Sequence, residues 1–380
     1  MPEPAQRDVI VVGAGAAGLA VAGELKRRGV TPLLVERSEV VGSSWRGRYR
    51  DLELNNDRWT ARLPRSPIPR GAGRWPARDE YISYLERYVE RHGLDIRFGV
   101  QVRRIDDDRC GWRVETGEQS LPARYVVVCT GTDRLAELPA WPGREGFEGR
   151  LLHAAEYRAP QQFDGEDVLV VGLGTSATEI AVRLVGSAAR VRVAVRGTPN
   201  LMPAGFLGLP MPVWARVFQG APRPLVDSLG RLVQRLGVRG LGDLGLEPAP
   251  HGVATELAIR GMGPVIDRGF LSAVRAGAVE LVGAVEGFEG PEVRLADGDR
   301  FSPDAVIAAT GYRPGLDEVV GHLAVLDPSG RPLKHGAEDS ADAAGLFFNG
   351  YRLPLSGELS GIRVDSRRIA KRIAGELRAN

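Results

Sequence analysis

Two cysteines, Cys110 and Cys129, are all that 380 residues contain, with four methionines and five histidines beside them. So few thiols give neither a disulfide framework nor a metal-binding spacing, so a reducing, cytoplasmic setting is the expectation. An excess of charge is missing too. Fifty Lys and Arg against 48 Asp and Glu leave a net +2, which removes the electrostatic case for nucleic acid. The arginines read as solvated surface balanced by acids. No apolar run is long enough to span a bilayer. The N-terminus passes almost directly into a strand, which leaves no room for a signal peptide. No catalytic triad, metal cluster or carboxylate pair stands out. What remains is an ordinary globular composition, 43% hydrophobic and 26% charged, with room for two domains.

What is present is a glycine pattern that occurs twice. Val9-Ile10-Val11-Val12 is a continuous apolar run, as in a parallel strand buried on both faces. Gly13-Ala14-Gly15-Ala16-Ala17-Gly18 follows at once. Leu19 to Arg28 then reads as a helix ended by Gly29, and Pro32 to Val35 as a strand ending at Glu36. This is the context a G-x-G-x-x-G turn needs to bind a dinucleotide. Gly13 permits the tight turn, Gly15 lets the backbone approach a pyrophosphate, and Gly18 lets helix and strand pack closely. Glu36 is placed to accept from the adenosine ribose hydroxyls. The motif alone does not separate FAD from NAD.

Asp167 to Val171 repeats the strand, Gly172-Leu173-Gly174-Thr175-Ser176-Ala177 the turn, and Thr178 to Leu184 the helix. Alanine in the third glycine position is allowed by the pattern. Aligning Val35-Glu36 with Val195-Arg196 puts a guanidinium where the first unit has a carboxylate. An acid there favours a free 2′-hydroxyl, whereas an arginine pairs with a 2′-phosphate. The expectation is NADP(H) at the second turn, the alternative being one more surface arginine.

Between the turns lies Phe147-Glu148-Gly149-Arg150-Leu151-Leu152-His153-Ala154-Ala155-Glu156-Tyr157. Two buried-strand runs end in Thr-Gly: Tyr125 to Thr130-Gly131, and Ala305 to Thr310-Gly311-Tyr312. Near the C-terminus Gly345-Leu346-Phe347-Phe348-Asn349-Gly350-Tyr351 reads as a strand leading to a Gly-rich turn, and Ser360-Gly361 precede a helix over about 362–377.

These residues resemble the class B flavoprotein monooxygenases, and among them the short YUCCA-type members of the flavin-containing monooxygenase group. The F-x-G-x-x-x-H-x-x-x-Y stretch, both glycine turns, Ala309-Thr310-Gly311-Tyr312 and Leu346 to Gly350 carry the likeness. Gly263 to Phe270 adds to it by its similarity to a T-P-V-L-D-x-G segment. The resemblance implies an α/β fold with two Rossmann-like dinucleotide-binding domains. A discontinuous FAD domain, 1–160 and 304–380, would hold an inserted NADPH domain, 161–303, with a helical segment at about 207–261. In that segment Leu225, Val226, Leu229, Leu232, Val233 and Leu236 share one side of a helix, and packing against the NADPH domain is the expected use of that side. A lid, a dimer contact and a membrane-surface patch stay open.

The resemblance also implies the chemistry: NADPH- and O2-dependent oxygenation of a small amine, sulfide or keto acid through a C4a-(hydro)peroxyflavin. Tyr157, where Baeyer–Villiger enzymes place Trp, favours these substrates over ketones. Implied FAD contacts include Ser44 and Trp45 in a segment similar to G-G-x-W, Arg37, Val102, Thr130, Gly131, Asn349, Gly350 and Ser360. Asn55 and Arg58, in Leu54-Asn55-Asn56-Asp57-Arg58, match the N-x-x-K of a segment whose Asn sits over the flavin edge. Trp59 replaces the Glu that follows there, YUCCA-type chains lack a matching Asn, and a simple turn is the alternative. His153 is counted with the cofactor residues, although support of the domain linker is its favoured role. The competing functional readings are a ferredoxin-reductase-like NAD(P)H reductase without oxygenase activity and a degenerate flavoprotein. Substrate identity and oligomeric state are not legible.

Overall fold

The structure, a computed structural model, describes residues 6–108, 111–238 and 240–379. Cys110 lies outside the described residues. The chain forms two compact units. One comprises Met1–Gly47, Leu52–Leu135 and Tyr312–Asn380; the other comprises Arg48–Asp51 and Ala136–Gly311.

In the first unit, strands β1 (Arg7–Val12), β2 (Leu33–Val35), β3 (Ile96–Arg97), β4 (Val102–Asp108), β5 (Gly111–Thr116) and β6 (Ser120–Val128) join in the order β3-β2-β1-β6-β5-β4. The β3-β2-β1-β6 part is parallel and the β6-β5-β4 part is an antiparallel meander. Val9 to Val12 are buried, as a strand covered on both faces requires. Helices α1 (Ala16–Lys26) and α2 (Arg78–His92) pack on one face, where Tyr81, Tyr84 and Tyr88 are buried against the α1 side.

The second unit contains β7 (Arg150–His153), β8 (Asp167–Val171), α3 (Thr175–Leu184), β9 (Arg190–Ala194), α4 (Arg223–Gly237), α5 (Val253–Arg260), β10 (Glu280–Val282) and β11 (Ala305–Ala308). Its sheet is wholly parallel in the order β10-β9-β8-β11-β7. The chain then returns to the first unit, where β12 (Leu346–Phe348) pairs parallel with β6 and α6 (Glu358–Ala379) closes the fold.

The compact units change over at 135/136 and 311/312, not at 160 and 304. The reason lies in the ladder: β11 pairs with β8 on one side and β7 on the other, so both strands belong to the second sheet. The helical segment differs from expectation as well. Leu225, Leu232 and Leu236 of α4 do not pack inward; they are 48%, 51% and 50% exposed. Among the described residues no helix is long and apolar enough to cross a membrane.

Candidate functional site: two glycine turns

Each glycine turn sits where a strand gives way to a helix. Gly13 has φ +105°, and its N–H donates to the Val35 carbonyl at 2.8 Å. A Cβ on Gly13 would lie 2.6 Å from the Cys129 carbonyl oxygen, and one on Gly18 only 1.9 Å from that of Gly13. Both positions therefore exclude a side chain. Gly15 is the N-cap of α1, offers no side-chain cap, and has open space beside it. The first amides of the helix are thus left for an anion, as a pyrophosphate requires. Ala14 and Ala17 are buried under the turn.

Glu36 binds this turn together. It is 6% exposed and accepts from Ala14 N at 2.8 Å, from Ser38 N at 3.0 Å, and from the hydroxyls of Ser38 and Ser43 at 2.8 and 3.3 Å. Ser38 and Ser43 were not singled out from sequence; an acid followed closely by serines is the only signal they carry. Arg37 beside it is exposed. Ser44 is exposed in the one-turn helix Ser43–Arg46, which Gly42 starts from a φ of +66°. Trp45 sets its ring edge-to-face with Tyr81, centroids 4.9 Å apart. The Val102 side chain is buried at the start of β4, so only its backbone is available to a ligand.

After β6 the chain runs through Thr130 to Gly131, with φ +81°. The Tyr351 hydroxyl holds this crossing, accepting from Thr130 N at 3.1 Å and bonding the Thr130 hydroxyl at 2.8 Å. Sequence reasoning read Tyr351 only as the end of a turn. Asn349 is 1% exposed and donates from Nδ2 to the Ala17 carbonyl at 3.1 Å, while its Oδ1 has no partner among the described residues. Gly350 lies close to Ala17, and Ser360 is buried in the first turn of α6. An orphaned buried oxygen and an uncapped helix end on one turn fit a polar cofactor. Cys129 is buried and its thiol pushed upward by desolvation, so it offers no reactive thiolate.

Asn55 stands in a bend, half-buried, with its Oδ1 likewise buried and unpartnered among the described residues. The turn read as its alternative is present next to it. The buried Asp57 carboxylate accepts from Trp59 N at 2.8 Å and Thr60 N at 3.2 Å. Asn56 donates to the Ser356 carbonyl at 3.1 Å, so this loop is tied to the approach to α6. Arg58 lies over the exposed Trp59 ring, 4.9 Å from its centroid.

The second turn repeats the pattern. Gly172 has φ +119°, donates to the Ala194 carbonyl at 3.0 Å, and a Cβ there would sit 2.8 Å from the Ala309 carbonyl oxygen. Gly174 caps α3 without a side-chain bond and has open space beside it, ahead of Thr175 and Ser176. Ala177 occupies the third glycine position, fully buried.

The strand ends correct one alignment. Val12 pairs with Val35 and Val171 with Ala194. The residue equivalent to Glu36 is therefore Val195, and Arg196 is equivalent to Arg37. The offset arises because β9 ends at Ala194, one residue before the sequence match placed it. Arg196 is exposed and has no ion-pair partner among the described residues.

His153 secures the crossing beside this turn. Its Nδ1 accepts from Ala155 N at 3.0 Å, so Nε2 carries the proton and donates to the Gly311 carbonyl at 3.0 Å. Burial lowers its pKa, which keeps the ring neutral. Thr310 donates from its hydroxyl to the Glu137 carbonyl, and Glu137 N bonds Gly311 O at 3.1 Å. Tyr312, half-buried, already belongs to the first unit. Tyr157, at the end of the F-x-G-x-x-x-H-x-x-x-Y stretch, is fully buried, stacked on Phe163 at 5.9 Å and edge-on to Tyr49 at 5.6 Å. Its identity acts through packing. Tyr49 donates to Glu179, a buried acid on α3 that sequence reasoning passed over.

Comparison with known proteins places the chain among flavoenzymes. Residues 10–202 match the family described as pyridine nucleotide-disulphide oxidoreductase. The indole-3-pyruvate monooxygenase YUCCA1 of Oryza sativa subsp. japonica is 34% identical over 312 residues, 81% of this chain and 77% of that protein. The probable indole-3-pyruvate monooxygenase YUCCA1 of Arabidopsis thaliana is 32% identical over 375 residues, 97% and 89% of the two chains. A double mutant of the flavin monooxygenase from Stenotrophomonas maltophilia shares the fold with a TM-score of 0.77, 23% identity, and 98% and 100% coverage. Cyclohexanone monooxygenase bound to ε-caprolactone shares it at a TM-score of 0.75 and 18% identity, covering 98% and 88%.

Proposed function

We infer the substrate from this premise: the chain belongs to the YUCCA-type flavin monooxygenases and is an NADPH- and O2-dependent oxidoreductase. It oxygenates a 2-oxo acid of the indole-3-pyruvate class. The observation that carries this is likeness along almost the whole chain to relatives named for that substrate, including 32% identity over 97% of its length. The balance is 2-oxo acid, O2, NADPH and a proton to the acid one carbon shorter, CO2, water and NADP+. FAD, when bound, carries the electrons from NADPH to dioxygen and supplies the oxygen-transfer chemistry.

The chain's own residues bind and orient. The first unit is a Rossmann-like FAD domain: Gly13, Gly15 and the α1 amides take the pyrophosphate, and Glu36 takes the ribose. The ribose hydroxyls would take the places that the Ser38 and Ser43 hydroxyls hold on this carboxylate, whose roughly four acceptor positions are already met. Asn349 Oδ1, the Thr130-Gly131 crossing and Ser360 line the same domain. The second unit is the NADPH domain, with Gly172, Gly174, Thr175 and Ser176 at the phosphates. Val195 leaves no acid to repel a 2′-phosphate, and Arg196 supplies its cation. Asn55 presents its unpaired Oδ1 to the reacting centre, while Arg58 and Trp59 shape its turn.

The test is to supply the FAD-loaded protein with NADPH, labelled dioxygen and indole-3-pyruvate. Indole-3-acetate carrying one labelled oxygen is the expected product. NADPH consumption with no oxygenated product from any keto acid, amine or sulfide would leave a reductase instead. Asn55→Ala should keep flavin reduction by NADPH and lower product per NADPH about tenfold, the loss of one hydrogen bond at the site. Unchanged coupling would remove Asn55 from the site.

A further inference from the structure

Helix α4 turns three of its leucines outward, while Val226, Leu229 and Val233 of the same side are partly buried. Leu225, Leu232 and Leu236 form a stripe at helical spacing, each about half exposed. The opposite side meets the rest of the unit through small and polar residues. A Cβ on Gly237 would lie 2.7 Å from Pro203, and one on Gly230 3.5 Å from Val253. Gln234 donates to the Leu201 carbonyl at 3.1 Å. The sole acid of the helix, Asp227, is buried and spent on α5, accepting from Ala254 N at 2.7 Å and Thr255 N at 3.2 Å. Every exposed charge on α4 is therefore an arginine: Arg223, Arg231 and Arg235, none with an ion-pair partner among the described residues.

We propose that this face of α4 docks on the surface of an anionic phospholipid bilayer. A helix with an outward leucine stripe and arginines beside it lies in the plane of such a surface, leucines among the acyl chains and guanidinium groups at the phosphates. Arginine suits the position because its stem can follow the apolar stripe while its head reaches the phosphate layer. From Leu225 to Leu236 the stripe is about 16 Å long, enough to seat the helix but not to cross. A second copy of the chain fits the face poorly. A two-fold contact through α4 would set arginines against their own mates with no acid to answer them. The proposal is independent of the substrate assigned above.

The experiment is flotation of the full, FAD-loaded chain with vesicles of phosphatidylcholine, with and without phosphatidylglycerol, alongside sedimentation velocity. Binding should require phosphatidylglycerol and weaken with added salt. Leu232→Glu with Leu236→Glu should lower it at least tenfold while NADPH oxidation stays intact, which shows that the variant folds. Arg231→Gln with Arg235→Gln, which keeps the leucines, should weaken binding and flatten its salt dependence. Absence of vesicle binding, or equal binding by all variants, overturns the proposal. So does a dimer that the Leu→Glu pair disperses without any lipid binding, since the face would then belong to a second copy.

Discussion

The two glycine turns are built from the same parts, and they differ at three of them. In each, the first glycine is pressed against the carbonyl of a strand that crosses over it, Cys129 in one and Ala309 in the other. In each, that strand continues into Thr-Gly. The third small residue is Gly18 in the first turn and Ala177 in the second. The residue after the second strand is Glu36 in the first and Val195 in the second. The Thr-Gly crossing is held by the Tyr351 hydroxyl in one and by the His153 imidazole in the other. What is common serves the shared task of admitting a pyrophosphate to a helix end. What differs sets how tightly the helix packs, which ribose is read, and whether the support titrates.

The largest effect should come from erasing the first difference. Gly18→Ala places a Cβ 1.9 Å from a backbone oxygen. It should cost about 3 kcal/mol or more and yield protein without flavin absorbance. Full flavin content in that variant would show that the α1 turn relaxes freely. Next is Val195→Asp, which gives the second turn the acid of the first. It should raise the KM for NADPH on the order of a hundredfold and leave that for NADH nearly unchanged, through repulsion of the 2′-phosphate. Arg196→Ala should raise the NADPH value about tenfold, with NADH again spared. Equal effects on both nucleotides would end the 2′-phosphate reading.

A smaller effect concerns pH. Burial sets the folded pKa of His153 below the ordinary 6.5. The fold holds the neutral ring, so its contribution is complete above pH 6.5 and is lost as the pH falls towards the depressed value. Thermal melts across this window should therefore fall more steeply for the native chain than for His153→Gln; parallel slopes would contradict a neutral His153. Tyr351, whose pKa burial raises, brings no such dependence to the first turn. The smallest effect is Ala177→Gly, which should cost about 1 kcal/mol, the helical price of glycine, with NADPH binding retained.

Much of this was legible because it is local. A buried strand, a glycine turn and a helix N-terminus are contiguous, so periodicity and spacing reveal them. Glu36 is legible for the same reason. The one-residue offset at Arg196 was not, because it depends on where β9 stops pairing with β8, and Arg190 to Val195 alternates through that point without a break. The membership of β7 and β11 in the second sheet was hidden for a related reason. A parallel partner is chosen across long stretches of chain, and apolar runs such as Ala305–Ala308 suit either sheet. The six apolar residues of α4 were read correctly as one side of a helix, but spacing does not say which way a side faces. That was decided by Gly230, Gly237 and Asp227, whose contacts lie with residues far along the chain.

The strap Arg48–Asp51 has a consequence for anyone who would cut this chain. Those four residues count with the second unit, although they lie far from 136–311 in sequence. They bring Tyr49 to the buried Glu179, and Asp51 to Arg183 at 2.8 Å. A fragment excised as 136–311 would leave the buried Glu179 carboxylate without the one side-chain donor it has among the described residues, a costly state for a carboxylate. The nucleotide half that looks like one uninterrupted cassette is therefore not portable by two cuts. Moving it to another scaffold means carrying along the short loop Arg48–Asp51, encoded well upstream of Ala136.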